Sequence, residues 1–215
     1  MTATDWIWGD LKPLHYGLIH ADPPWSFETW SEAGRDRSAD YATLSIAEIA
    51  ALPVKDLARP DCLVALWAID SLLPQAFAVL EAWGFRYVTV AFTWVKTFDL
   101  SVQRVDLIAR ALARGDWNDA GAAMAPIGLG YWTRANPEIC LLASLGSPPR
   151  LERGVRQLIL APAREHSRKP DEAARRLERL APGPRCELFA RERRPGWDCW
   201  GNQVGLFGQE GESDA

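Results

Sequence analysis

The sequence predicts an α/β protein built on a largely parallel sheet, and three observations carry that reading. Residues 16–19 form a short apolar run that stops at Asp22-Pro23-Pro24, where neither proline can donate a ladder hydrogen bond, so a buried strand ends abruptly. Residues 62–67 are a second apolar run of strand length, followed by a helical pattern over 71–83 and a strand pattern over 86–94. Strand, helix, strand is the grammar of a parallel sheet. An amphipathic helix after Lys169 then leads into the apolar run 186–190, which repeats the alternation.

Taken in order, residues 1–14 carry Trp6 and Trp8 without a clear period and read as an arm or edge strand laid on the core. Residues 31–40 are polar, glycine-containing and aperiodic, which predicts a mobile loop beside a site. Ser45-Ile46-Ala47-Glu48 fits a capping box opening a short helix that ends near Pro53. Over 71–83, Leu72, Leu73, Ala76, Phe77, Leu80 and Trp83 share one helical face, and Gly84 is the stop. Val88, Val90 and Phe92 alternate in the strand that follows.

Residues 96–127 predict one helix around 102–112 and then a Gly/Ala/Asp-rich link, an insertion on the ligand face. Strands are expected over 138–145 and 155–160, with Gly146-Ser147-Pro148-Pro149-Arg150 as a turn between them. Ala173, Leu177 and Leu180 form the stripe of the late helix, and Pro182-Gly183 stops it. The acidic end beyond Gly208 is expected to be disordered, leaving a single domain over 1–208 and a tail over 209–215.

At 215 residues and 48% hydrophobic, the chain can bury one sizeable core. Its net charge of -4 advertises no global field for nucleic acid, yet residues 150–194 carry 13 Lys+Arg against 7 Asp+Glu. That local excess is a candidate path for phosphates, alongside Arg35 and Arg37. Cys62, Cys140, Cys186 and Cys199 lack C-x-x-C spacing, so neither a zinc site nor a disulfide framework follows, and reduced thiols are expected. With no leader pattern and no run of about 20 apolar residues, the expectation is a soluble, intracellular, cytoplasmic protein without a membrane partner.

The chemistry concentrates at Asp22-Pro23-Pro24-Trp25. Two fixed φ angles in a row hold the Asp22 carboxylate and the Pro23 carbonyl stiffly at the carboxyl end of a strand, where open α/β sheets place ligands. Trp25 adds a flat apolar face. Two oxygen acceptors beside an indole suit a planar ring with an exocyclic amine.

Further motifs follow in order: Tyr41-Ala42-Thr43-Leu44, Trp94-Val95-Lys96-Thr97, residues 130–138 from Gly130-Tyr131-Trp132 to Glu138, Ser167-Arg168-Lys169-Pro170-Asp171, Glu187-Leu188-Phe189-Ala190-Arg191, and Trp200-Gly201-Asn202-Gln203. Seven segments in this order over residues 16–203 resemble the MT-A70-like adenine-N6 methyltransferases, the family of the catalytic subunit of messenger-RNA methyltransferase with its bacterial and phage relatives. The resemblance implies a Rossmann-like fold dependent on S-adenosylmethionine, permuted so that the catalytic motif precedes the main cofactor segments. It implies Asp22, Pro23, Pro24 and Trp25 as the catalytic motif. Lys169 is then placed on the methionine carboxylate, Arg191 on the ribose, Asn202 and Gln203 on the adenosine half, and Ile19 with Asp22 beside the sulfonium.

Trp25, Tyr41, Lys96 and Trp132 are the implied contacts to the acceptor base or strand, and no metal is called for. The acceptor implied is adenine in nucleic acid, DNA favoured over RNA and single strands over duplex. A homodimer or a partner subunit is possible on the same resemblance. One departure stands out: Arg191-Glu192-Arg193-Arg194 replaces a Pro-His-Asn continuation that holds the ribose in the messenger-RNA enzyme. A non-catalytic, nucleic-acid-binding partner subunit is the alternative, but Asp22, Trp25, Lys169 and Asn202 are all kept. Relatives acting on cytosine N4 or protein glutamine open the tetrapeptide with Ser or Asn, so Asp22 favours adenine.

Overall fold

The apolar run before the two prolines becomes an interior strand of the sheet. In the computed structural model, which describes residues 6–26, 43–128, 130–165 and 168–205, β1 (Tyr16–Ala21) is buried along its whole length. It lies between β2 (Ala58–Ala68) and β6 (Arg185–Leu188), both parallel to it. The remaining strands are β3 (Arg86–Thr97), β4 (Glu138–Leu145), β5 (Leu158–Pro162) and β7 (Asp198–Trp200). The seven-stranded order is β5-β3-β4-β2-β1-β6-β7.

The sheet is mixed rather than parallel throughout. β2 and β3 run in the same direction as expected, but β4 sits between them, antiparallel to both. Side chains explain the placement. β4 is apolar on both faces and needs an interior slot, whereas β3 begins with exposed Arg86, Tyr87, Val88 and Thr89 and is displaced outward. β3 also breaks register between Tyr87 and Thr89 and between Val90 and Phe92. These bulges reset the alternation, so Val88 is half exposed while Phe92 and Trp94 are buried.

Helices cover both faces. α1 (Ile46–Ala51), with its Ser45/Glu48 capping box in place, and α2 (Leu73–Ala82) pack on the face that buries Tyr16, Ile19, Ala21, Val64 and Leu66. A single 3-10 turn, Asp70–Leu72, replaces the first turn expected of α2. Phe77 is substantially exposed and stacks edge-on against Tyr87 instead of joining the core. The other face buries Leu18, Trp67, Trp94 and Trp197 under the late helix through Ala173, Ala174 and Leu177.

The insertion after β3 is a pair of helices, α3 (Val102–Ala113) and α4 (Trp117–Met124), where the sequence showed one. Asp116, whose side chain accepts from the Asp119 N–H, caps the helix concealed by the Ala/Gly-rich composition. The late helix is α5 (Asp171–Leu180). Residues 6–14 of the N-terminal arm form no strand: they turn back and bury Trp8 against Trp200 at 4.8 Å, while the Trp200 indole donates to the Ile7 carbonyl at 3.0 Å. The expected loop over 31–40, and the tail over 209–215, lie outside the described residues. No helix among the described residues is long and apolar enough to cross a membrane.

Trp83 closes α2 onto α1, fully buried, with its indole N–H donating to the Ile49 carbonyl at 2.9 Å. Trp83→Ala is expected to cost about 3–5 kcal/mol, the range for emptying a large aromatic site. Chemical denaturation would read this as a lower midpoint, and an unchanged midpoint would contradict the packing described.

Candidate active site

β1 is where the strand order reverses: β2, β4, β3 and β5 extend to one side, β6 and β7 to the other. Such a switch point leaves a crevice beyond the carboxyl ends of the strands. Here it opens between the ends of β1 and β6 and the start of α5, and is lined by His20, Asp22, Lys169, Pro170, Glu187 and Arg191 among others.

Asp22 stands at its centre. Both of its carboxylate oxygens lie 2.9 Å from the Lys169 ammonium, and Oδ2 is 3.3 Å from the Arg191 guanidinium. Lys169 also meets Glu138, at the first position of β4, at 3.2 Å; Glu138 in turn holds Lys96, near the end of β3, at 2.6 Å. A chain of alternating charge, Lys96–Glu138–Lys169–Asp22–Arg191, therefore joins the ends of β3, β4, β1 and β6. Burial alone would lower the Lys169 pKa, but Asp22 and Glu138 outweigh it and raise it above the ordinary lysine range. Burial would likewise raise the Glu138 carboxyl, and Lys169 with Lys96 more than reverses that.

The tetrapeptide is pinned from behind. The Trp25 N–H donates to the Pro23 carbonyl at 2.9 Å, and the Leu44 N–H to the Pro24 carbonyl at 2.9 Å, so the segment beyond Asp22 is tied to the entry of α1. The expected open indole face is not what the structure shows. Trp25 is only 5% exposed, and its indole N–H donates to the Trp67 carbonyl at 3.0 Å. A ring this deep, with its one polar atom satisfied, anchors the loop; it offers no open stacking surface. The Pro23 carbonyl, already engaged by Trp25, keeps one lone pair for another donor.

Period-two alternation corrects another expectation. Leu18, His20 and Asp22 face α5, so Ile19 points into the opposite core and is fully buried away from the cavity. His20, on the α5 side of the strand, lines the cavity instead. Its Nε2 accepts from the Trp67 indole at 2.8 Å, so the ring proton belongs on Nδ1, which faces Glu187 at 3.5 Å without completing a hydrogen bond. Burial would raise the Glu187 carboxyl, yet His20 and Arg194 hold it below the ordinary range.

Asn202 and Gln203 do not line the crevice, but their turn is built against it. The Ala190 N–H donates to the Trp200 carbonyl at 2.9 Å and the Gly205 N–H to the Arg191 carbonyl at 3.2 Å. A Cβ at Gly201 would lie 2.7 Å from the Ala190 carbonyl oxygen, so only glycine lets this turn close onto the strand that delivers Arg191. Trp132 is 92% exposed, in the loop preceding Glu138. Tyr41 and Ser167 lie outside the described residues.

Glu138, His20 and Glu187 are among the cavity and ion-chain residues that the sequence does not single out as site residues. Glu138 and Glu187 were visible as motif positions, but their partners come from other strands. The basic segment fares differently. Arg164 pairs with Asp171, Arg168 with Glu192, Arg176 with Glu172, Arg179 with Glu152, and Arg194 with both Glu192 and Asp171. Most of the expected phosphate path is spent inside the fold.

The chain matches the MT-A70 family over residues 16–118 and 110–203. It is 26% identical over 220 residues to the type II methyltransferase M.MunI of Mycoplasma sp, covering 93% of this chain and 82% of that protein. It is 32% identical over 209 residues to an N(6)-adenosine-methyltransferase MT-A70-like protein of Drosophila melanogaster, covering 93% of this chain and 29% of the relative. The human N(6)-adenosine-methyltransferase catalytic subunit METTL3 is 29% identical over 209 residues, with coverages of 93% and 31%. The chain thus spans less than a third of these two animal relatives.

Removing the shared cation is the sharpest test of the charge chain. Lys169→Met removes the cation between Asp22 and Glu138, leaving only Arg191 beside the one and Lys96 beside the other, and is expected to cost about 3 kcal/mol at neutral pH. The pH sign follows from Glu138: its folded pKa is depressed, so in the native protein its contribution is present above about pH 4.3 and fades as pH falls through the folded value. In the variant the two carboxylates repel, so acidification toward pH 5 should narrow the gap to the native protein in denaturation midpoint. A gap independent of pH would contradict the arrangement.

Proposed function

The chain belongs to the MT-A70 family of S-adenosylmethionine-dependent methyltransferases, and from that premise we propose that it transfers a methyl group to N6 of adenine in nucleic acid. The observation that carries this reading is the Asp22 carboxylate, held by Lys169 and Arg191 at the crevice beyond β1.

The side chains there fit the methyl donor. The crevice mixes cations, Lys169 and Arg191, with carboxylates, Asp22 and Glu187, a set suited to a ligand with a carboxylate, an ammonium and a sulfonium. Lys169 is assigned to the methionine carboxylate, Arg191 to the ribose, and the turn carrying Asn202 and Gln203 to the adenosine half. When bound, S-adenosylmethionine supplies an electrophilic methyl group.

Adenine N6 is a poor nucleophile because its lone pair is delocalised into the ring. Asp22 accepts an N6 hydrogen, and the remaining lone pair of the Pro23 carbonyl can take the other, which favours a pyramidal nitrogen whose lone pair is free to attack. Asp22 has the capacity: a carboxylate offers about four lone-pair sites. Lys169 and Arg191 fix it in place, so little reorganisation falls on the reaction step. Lys96, tied to Glu138, flanks the acceptor side and is assigned to orienting the base or meeting a phosphate.

The acceptor is read as DNA in preference to RNA, since the chain spans most of the Mycoplasma type II methyltransferase but only a fraction of the adenosine enzymes. An unpaired adenine avoids the few kcal/mol that flipping from a duplex costs. Labelled-cofactor assays on matched single-stranded DNA, duplex DNA and RNA are expected to give the fastest transfer to single-stranded DNA. Asp22→Ala is expected to abolish transfer while S-adenosylmethionine affinity changes only a few-fold, because the carboxylate acts mainly on the amine in the transition state. Near-normal turnover in this variant would sink the assignment.

A further inference from the structure

Some of the most exposed aromatic side chains of the described residues, Tyr131 at 87% and Trp132 at 92%, sit side by side on the loop that enters β4 at Glu138. Their ring centroids are 5.3 Å apart at an angle of 89°. The loop beneath them is closely folded: a Cβ at Gly128 would overlap the Ala135 carbonyl, and one at Gly130 that of Thr133.

Asn136 fixes this loop to the reactive cluster. Its Oδ1 accepts from the Lys96 N–H at 3.0 Å, and its Nδ2 donates to the carbonyls of Lys96 at 3.0 Å and Pro126 at 2.7 Å. One side chain thereby clips together the end of β3, the end of the helical insertion and the start of β4. The residue it grips is Lys96, already paired with Glu138. Arg134, exposed between the aromatic pair and this clip, has no salt bridge among the described residues.

We infer that Tyr131 and Trp132 form a stacking platform for the unpaired nucleotides that flank the target adenine, with Arg134 meeting a phosphate of the same strand. The inference rests on the function proposed above and names the part of the acceptor strand that this loop holds. The occupant follows from the chemistry: two aromatic faces in water beside an unpaired guanidinium, continuous through Asn136 and Lys96 with the site that would take the base. A single strand offers unstacked bases together with phosphates, whereas a duplex keeps its base faces hidden.

The test measures binding apart from turnover. Fluorescence anisotropy would follow a labelled single-stranded oligodeoxynucleotide bearing one adenine, and the RNA of the same sequence, on the full chain. The double variant Tyr131→Ala/Trp132→Ala is expected to weaken binding by roughly 5- to 100-fold, the range for losing one stacked base, with thermal midpoint and S-adenosylmethionine affinity unchanged. Trp132→Phe should recover most of the loss, and Arg134→Gln should flatten the salt dependence. Unchanged oligonucleotide affinity in the double variant overturns the platform, as does a shift in sedimentation from dimer to monomer with that affinity intact, which would assign the patch to a second copy of the chain. Binding that falls as expected while the native chain transfers no methyl group would support the platform and overturn the proposed function, so the two failures are separable.

Discussion

The Lys169 ammonium, placed between the carboxylates of Asp22 and Glu138, is the contact on which the rest of the site depends. Two strand ends converge on it, the end of β1 and the start of β4, far apart in sequence. Two acidic groups at the mouth of a half-buried crevice repel each other and lose hydration, and one cation between them offsets both costs only if its geometry is kept. Fixing Lys169 therefore fixes where β1 ends relative to β4. Pro170 and the start of α5 supply that constraint, because the lysine stands immediately before a helix whose apolar face is locked into the sheet.

Around this point the fold separates rigid from variable parts. β1, β2, β4 and β6 present the charged cluster from a core buried on both faces, so the geometry at Asp22 is set by packing rather than by loops. The α3–α4 insertion leaves the sheet after Thr97 and returns at Glu138, and Asn136 closes its neck with three hydrogen bonds. Variation within that excursion can change what is presented to an acceptor strand without moving the carboxylate.

Charge is used inward more than outward. The arginines of α5 and its flanks neutralise Asp171, Glu172, Glu192 and Glu152, stapling the helix to the sheet edge and to the segment after β6. With a net charge of -4, the chain presents no long-range field for a polyanion. On the function proposed, recognition of nucleic acid then falls to short-range contacts, stacking and single guanidinium groups, close to the crevice.

Local signals were read correctly wherever a residue's neighbours in sequence decide its conformation. The Ser45/Glu48 capping box, the boundaries of β4, the end of β1 before two prolines and the stop of α2 at Gly84 are of this kind. The motif series is likewise legible, because it is a matter of residue type and order. What the tertiary structure alone decided concerns partners across the sheet: that β4 inserts between β2 and β3, that bulges in β3 reverse its alternation, and that His20 rather than Ile19 faces the cavity. Trp25 reads as a ligand face in one dimension and is an anchor in three, since only the position of the Trp67 carbonyl shows that its N–H is taken. Sequence determines which groups a chain owns and where its elements begin and end; which groups meet depends on strand order and register, set by burial summed over residues far apart in the chain.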